Sequence, residues 1–275
     1  MRHTWHRLFA VFLLLCSLLP SQALAEPRFE IHFLDVGQGD AAIVICDDEV
    51  MMIDGGNPGD SDFIYSYLKN TIQVDHIDYM IASHPHEDHI GGLSGALNAC
   101  SVGKVYSPVL EYDSRAFSSL VKYTEKQGLK LTLPIVGETF TLGSAVIQIL
   151  GPVRNYDSMN DMSIILRIVY GETSFLFTGD AECDAEHDLV DSEYDLSATL
   201  LKVAHHGSET SSSYVFLREV MPKYAVISVS AENGYDHPSE TVLGRLRDID
   251  SFIYQTNING SIIFHSTGKK IVAVP

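Results

Sequence analysis

Between Ser83 and Gly92 the chain reads Ser-His-Pro-His-Glu-Asp-His-Ile-Gly-Gly, which places three histidines and two acids in the six positions 84 to 89. In an extended or tightly turned segment His84 and His86, two apart, point to one side, while Asp88 and His89 can turn toward a second point a few ångströms away. That spacing suits two adjacent cations. Imidazole and carboxylate donors suit zinc, manganese or iron, and the absence of cysteine from the cluster argues against a closed structural thiolate site. Histidines that stand alone, His32, His76, His187 and His265, are read as surface or satisfied core residues.

Elements must hold such a cluster in place. Ile77 to Ala82 reads as a buried strand that stops at Ser83. Further strands are expected at Phe29 to Leu34, Ala41 to Ile45, Val50 to Ile53, Lys104 to Tyr106, Leu129 to Leu133, Ala145 to Leu150, Ser163 to Val169, Ser174 to Thr178, Thr199 to Val203 and Tyr224 to Val229. A C-terminal set follows at Phe252 to Gln255, Ser261 to His265 and Lys270 to Val274. Helices are expected over Asp62 to Lys69, Arg115 to Gln127, Asp184 to Val190, Ser212 to Glu219 and Pro238 to Arg247, the first two capped by Ser61 and Ser114. Strands in runs of two or three, then a helix, predict an α/β fold with two mixed sheets covered by helices. Gly37 and Gly39, between Asp35 and Asp40, are read as turning the chain through positive φ, with the two acids left open.

The 275 residues carry 36 acids and 18 bases, a formal charge of −18. A basic stripe, which binding long nucleic acid requires, is missing, so long polyanions are disfavoured as partners. Eight acids from Asp180 to Asp195 occur without a Lys or Arg and are read mostly as a solvated helix face. Leu8 to Leu19 is an apolar run too short to span a bilayer; it follows a basic head with Arg2 and Arg7 and precedes Ala23-Leu24-Ala25. This is the pattern of an export leader, so residues 1–25 are expected to be a signal peptide and 26–275 one exported domain, periplasmic or extracellular, with no membrane-spanning segment. Cys46, Cys100 and Cys183 remain, without C-x-x-C spacing, and are read as buried thiols, although one pair could still bridge. Oligomeric state is not legible.

Ser83 to Gly92 resembles the His-x-His-x-Asp-His signature of the metallo-β-lactamase fold superfamily. Asp54 in Met-Ile-Asp-Gly-Gly resembles its first acidic motif, Asp180 in Phe-Thr-Gly-Asp its bridging aspartate, and His205-His206-Gly207-Ser208 its last histidine motif. Leu34 to Asp40, Asn160 to Ser163, Leu201 to Ser208 and Asp236-His237-Pro238 are similar, more narrowly, to the hydrolase-like domain of bacterial competence DNA-uptake channel proteins. The resemblance covers nearly all of residues 29 to 274. It implies an αββα sandwich, one or two divalent ions (Zn2+ or Mn2+) at one edge between the sheets, and a subgroup associated with phosphodiester chemistry.

On that resemblance His84, His86, Asp88, His89, Asp180 and one of His205 and His206 are the expected metal ligands, with Asp54 orienting a ligand from behind. Which of the paired histidines ligates is open. The superfamily pattern would add a histidine between His89 and Asp180, yet residues 90 to 179 contain none; Asn160 occupies the approximate place. The His84/His86 site is therefore expected to be the weaker and to lean toward manganese. Lys202 is expected either to hold a phosphate oxygen with Ser208 or to be a solvated strand-edge charge. His237 is expected either to protonate a leaving group or to be a plain loop residue. The implied function is an exported metal-dependent hydrolase of small or short phosphoesters or phosphodiesters, using Asp88-held metal to activate water. Lactam or lactone hydrolysis, and a binding module with a vestigial site, are the alternatives.

Overall fold

The computed structural model describes residues 28–274. The leader expected at residues 1–25 lies outside them. One sheet has eight strands, β1 (Phe29–Phe33), β2 (Ala42–Cys46), β3 (Glu49–Ile53), β4 (His76–Ile81), β5 (Ser101–Tyr106), β6 (Leu131–Thr132), β14 (Ile262–Ser266) and β15 (Ile271–Val274), in the order β15-β14-β1-β2-β3-β4-β5-β6. The other has seven, β7 (Thr139–Leu142), β8 (Ala145–Gly151), β9 (Ile165–Tyr170), β10 (Thr173–Phe177), β11 (Leu200–Lys202), β12 (Tyr224–Ile227) and β13 (Phe252–Gln255), in the order β13-β12-β11-β10-β9-β8-β7. Both sheets are mixed. β3 to β6 run parallel, as do β10 to β13, and the remaining neighbours are antiparallel.

The inner faces share an aromatic core, with Phe29 stacked on Phe175 at 4.7 Å and Phe33 on Phe177 at 5.7 Å between ring centroids. A second apolar layer joins the outer face of the eight-stranded sheet to helices at Ser61–Ser66, Leu93–Ala99 and Arg115–Lys126. A third joins the seven-stranded sheet to helices at Cys183–Val190, Tyr214–Val220 and Glu240–Asp248. The layers are helix, sheet, sheet, helix, as the resemblance implies. Central strands covered on both faces read as continuous apolar runs, and all five residues of β2 are buried.

Local differences from the sequence reading have local causes. His86 caps a one-turn helix, Glu87–Ile90, so Asp88 and His89 leave the extended segment on helical backbone. Gly37 does have positive φ, 69°. Gly39 does not: a Cβ there would meet the Asp88 carbonyl oxygen at 2.5 Å, so the residue permits close approach rather than a turn. Within the acidic stretch Glu186 is buried and accepts from the Ser213 amide at 2.9 Å, whereas Asp184, Asp191, Glu193 and Asp195 are exposed. Cys46, Cys100 and Cys183 are free thiols, the last only partly buried. No helix among the described residues is long and apolar enough to cross a membrane.

Candidate metal centre and pocket

The loops that leave the C-terminal ends of β3, β4, β10, β11 and β12 converge at one edge of the sandwich, the place where α/β sheets build sites. Asp54, at the end of β3, has φ of 58° and is buried. Its two oxygens accept from the Ser83 amide at 2.8 Å and the Ser83 hydroxyl at 2.6 Å, and one of them lies 2.9 Å from His89 Nδ1. That contact turns His89 Nε2 toward Asp180, whose Oδ1 is 3.3 Å away. His84 Nε2 lies 3.7 Å from Asp180 Oδ2 and 3.0 Å from His86 Nδ1. His206 Nε2 lies 3.3 Å from Asp88 Oδ2 and 3.8 Å from Asp180 Oδ2.

Two overlapping donor groups result: His84, His89 and Asp180, and Asp88, His89 and His206. The paired histidines part company. His206 is buried, and its Nδ1 donates to the Ser228 carbonyl at 2.9 Å, which leaves Nε2 as the free donor atom. His205 sits at the rim with Nδ1 3.3 Å from Glu182, and its ring is 5.6 Å from that of His237. Both His205 (φ 49°) and His206 (φ 52°) occupy the left-handed region, a conformation costing about 1–3 kcal/mol per residue that persists only where the surroundings enforce it.

The electrostatics follow from burying acids among imidazoles. Burial alone would raise the Asp88 carboxyl, but the His206 contact and the His89 charge bring it down to about 2. Burial lowers His206 while Asp180, Asp40 and Asp88 raise it, and the acids win at about 10. The same contest leaves His89 well above, and Asp180 well below, their ordinary values. His84 goes the other way: burial and the neighbouring His89 charge hold it well below the usual imidazole value.

These groups fit a divalent cation. His89 Nε2, Asp180 Oδ1 and Asn160 Oδ1 are all buried without a hydrogen-bond partner, and leaving such atoms unpaired costs about 1–3 kcal/mol each. The Asn160 loop packs on the same acid: its carbonyl accepts from the Ser163 amide, and the Ser163 hydroxyl accepts from the Asp180 amide at 3.0 Å.

Above the donors opens a cavity of about 450 Å3, lined by Gln38, His86, Glu87, Asp88, Tyr112, Ser114, Asn160, Asp180, His205, His206, Tyr235 and His237. None of these is Lys or Arg. Asn233 Oδ1 accepts from the amides of Tyr235 and His237 at 3.1 and 3.0 Å, which fixes the loop presenting both side chains. Two expected substrate contacts are absent from the cavity. Lys202 is buried and ion-paired to Asp40 at 2.7 Å, so it is neither a solvated charge nor a free phosphate ligand. Ser208, also buried, has its hydroxyl 2.9 Å from that of Thr210 and serves the turn after the histidines. Tyr112, Tyr235 and Gln38 had no chemical signature in the sequence. Asp40 stood open in the sequence, one of the two acids flanking the glycine loop.

The sequence profile of the metallo-beta-lactamase superfamily matches residues 34–231. Over 245 residues the chain is 30% identical to competence protein ComA of Neisseria gonorrhoeae, covering 88% of this chain and 33% of that one. It is 25% identical over 251 residues to ComE operon protein 3 of Bacillus subtilis, covering 85% of this chain and 32% of the relative. The chain thus spans about a third of the length of these curated relatives. Among solved structures it is similar in fold to the metallo-beta-lactamase fold protein YhfI of Bacillus subtilis, with a TM-score of 0.59 at 14% identity over 86% of this chain and all of that one, 100%.

Proposed function

The chain belongs to the metallo-beta-lactamase superfamily, generally metal-dependent hydrolases, and from that premise we propose that it hydrolyses small or short phosphodiesters. The observation that carries the reading is the pair of unpaired buried atoms His89 Nε2 and Asp180 Oδ1, 3.3 Å apart, in donor groups that also take in His84, Asp88 and His206, beside a cavity that Asn160 lines. Asp88, His89, His206 and Asp180 would hold one divalent ion. His84, His86 and Asp180, with the Asn160 amide oxygen, would hold a second more weakly, and Zn2+ and Mn2+ both suit these donors. When bound, the ions polarise the attacked phosphoryl group and make water a nucleophile near neutral pH.

The chain's own residues do the rest. Asp54 and Ser83 fix His89 by the 2.9 Å contact and the bonds behind it. His205 and His237 face the cavity, where His237 can protonate a departing oxygen. A cavity without Lys or Arg, on a chain of net charge −18, supports a substrate carrying one negative charge over a long polyanion. The resemblance to the competence DNA-uptake subgroup, together with the name of one relative, competence protein ComA, supports a nucleotide-derived diester, and the leader pattern at residues 1–25 supports action outside the cytoplasm.

The test is a substrate panel with Zn2+ and Mn2+: a bis-aryl phosphodiester, a short oligonucleotide and a chromogenic lactam. Turnover of the diesters, lost in Asp180→Ala together with ion binding, is the expected result. Lactam cleavage alone would replace the substrate class, and bound ions without any turnover would make this a binding module.

A further inference from the structure

Asp40 and Lys202 form a buried ion pair that the hydrolytic reading does not use. Their side chains are 7% and 4% exposed, and Lys202 Nζ also donates to the Val203 carbonyl at 2.9 Å. Burying such a pair gives little net stability, since apolar residues of similar volume commonly do as well. Its surroundings suggest another use. Lys202 engages Asp40 Oδ2, while Asp40 Oδ1 is buried without a hydrogen-bond partner and lies 3.4 Å from His206 Nδ1. The backbone of Asp40 reaches the same neighbourhood: its amide donates to the Asp88 carbonyl at 3.0 Å, and its carbonyl accepts from the Gly56 amide at 2.7 Å. One residue thus touches the backbone of Asp88 and the far side of the His206 ring, whose Nε2 faces Asp88 Oδ2.

We propose that Asp40, held in place by Lys202, is the positioning residue for the divalent ion between Asp88 and His206. Its negative charge behind Nδ1–H keeps the proton on that nitrogen, beside the Ser228 carbonyl, and makes Nε2 a stronger donor. The Lys202 ammonium keeps the carboxylate turned toward the imidazole. It also supplies the positive charge for a further buried set, Asp40, Asp54 and His89, that would otherwise be able to hold a cation of its own. The inference rests on the reading that Asp88, His89, His206 and Asp180 hold an ion.

Calorimetric titration with Zn2+ and with Mn2+, alongside thermal unfolding after chelation, tests it on wild type, Lys202→Met and the double variant Asp40→Asn/Lys202→Met. The double variant leaves no buried charge unpaired, so its unfolding temperature after chelation should stay near that of wild type. Its ion at Asp88 and His206 should nevertheless bind about 10–100-fold more weakly, the usual cost of losing a ligand's outer partner. Lys202→Met, which keeps the carboxylate beside His206, should fall between. A double variant that does not fold, or that holds both ions with wild-type affinity, would make the pair a structural cross-link and overturn the inference alone. A wild type that binds no divalent ion would overturn the metal reading beneath it.

Discussion

Asp180 is one carboxylate facing four imidazoles: His84, His89, His205 and His206 each bring Nε2 within 3.9 Å of it. His237, on the wall of the same cavity, is not among them. Burial, and then the nearby His205 and His206, lower it from the ordinary imidazole value of 6.5. It is therefore protonated only on the acid side of that value, so a general-acid contribution should fade as pH rises through the lowered pKa. The rate ratio of a diester with a poor leaving group to an activated aryl diester should accordingly fall with rising pH in the wild type and stay flat in His237→Ala. At the acid end the variant should lose about 10²-fold on the poor leaving group alone. A ratio that ignores pH in the wild type would leave His237 a wall of the cavity. At this scale the cluster from His84 to His89 was legible because its donors are local in sequence and no core needs them. Lys202 was not, because nothing beside it in the chain announces Asp40, 162 positions earlier by their numbering, as its buried partner.

Each donor loop inherits its place from the strand or helix it leaves, and one helix end also walls the cavity. Ser114 Oγ accepts from the Phe117 amide at 3.1 Å and caps Arg115–Lys126, whose buried Ala116, Leu120 and Thr124 recur every fourth residue against the eight-stranded sheet. Ser114→Ala should cost about 1 kcal/mol of stability with the number of bound ions unchanged, read by denaturant unfolding and metal analysis. A loss of ions would mean that the cap supports the donors directly. The capped helix was legible from its serine and its spacing. Leu93–Ala99 was not: five of its seven residues are buried, so only Ser94 and Asn98 mark its polar side, and it carries Gly95, where a Cβ would come within 2.0 Å of the Ser61 carbonyl oxygen. Thr139–Leu142 was missed for the opposite reason. As an edge strand pairing only with β8, it buries Leu142 alone and offers too short an alternation to read.

Across the whole molecule, the two-sheet core was legible as a class because strand runs and helices alternate, but the order of strands in each sheet depends on pairings such as β1 with β14, far apart in sequence. The same arrangement divides the donors. Asp54 and the segment from Ser83 to His89 extend from the eight-stranded sheet, whereas Asp180, His205 and His206 extend from the seven-stranded one. Ions shared between these groups would act as a seam at the rim, where the Asp40–Lys202 pair and the Ile164 amide on the Ser83 carbonyl also join the two layers, above the aromatic packing of Phe29, Phe33, Phe175 and Phe177. Removing them should let the rim open locally while the aromatic interior stays shut. Deuterium uptake should then quicken at residues 83–92 and 204–210 on chelation and remain unchanged along β1, β2 and β10. Uptake that rises everywhere would mean that the seam governs the cooperativity of the entire fold, and uptake that rises nowhere that the rim is closed by the chain alone.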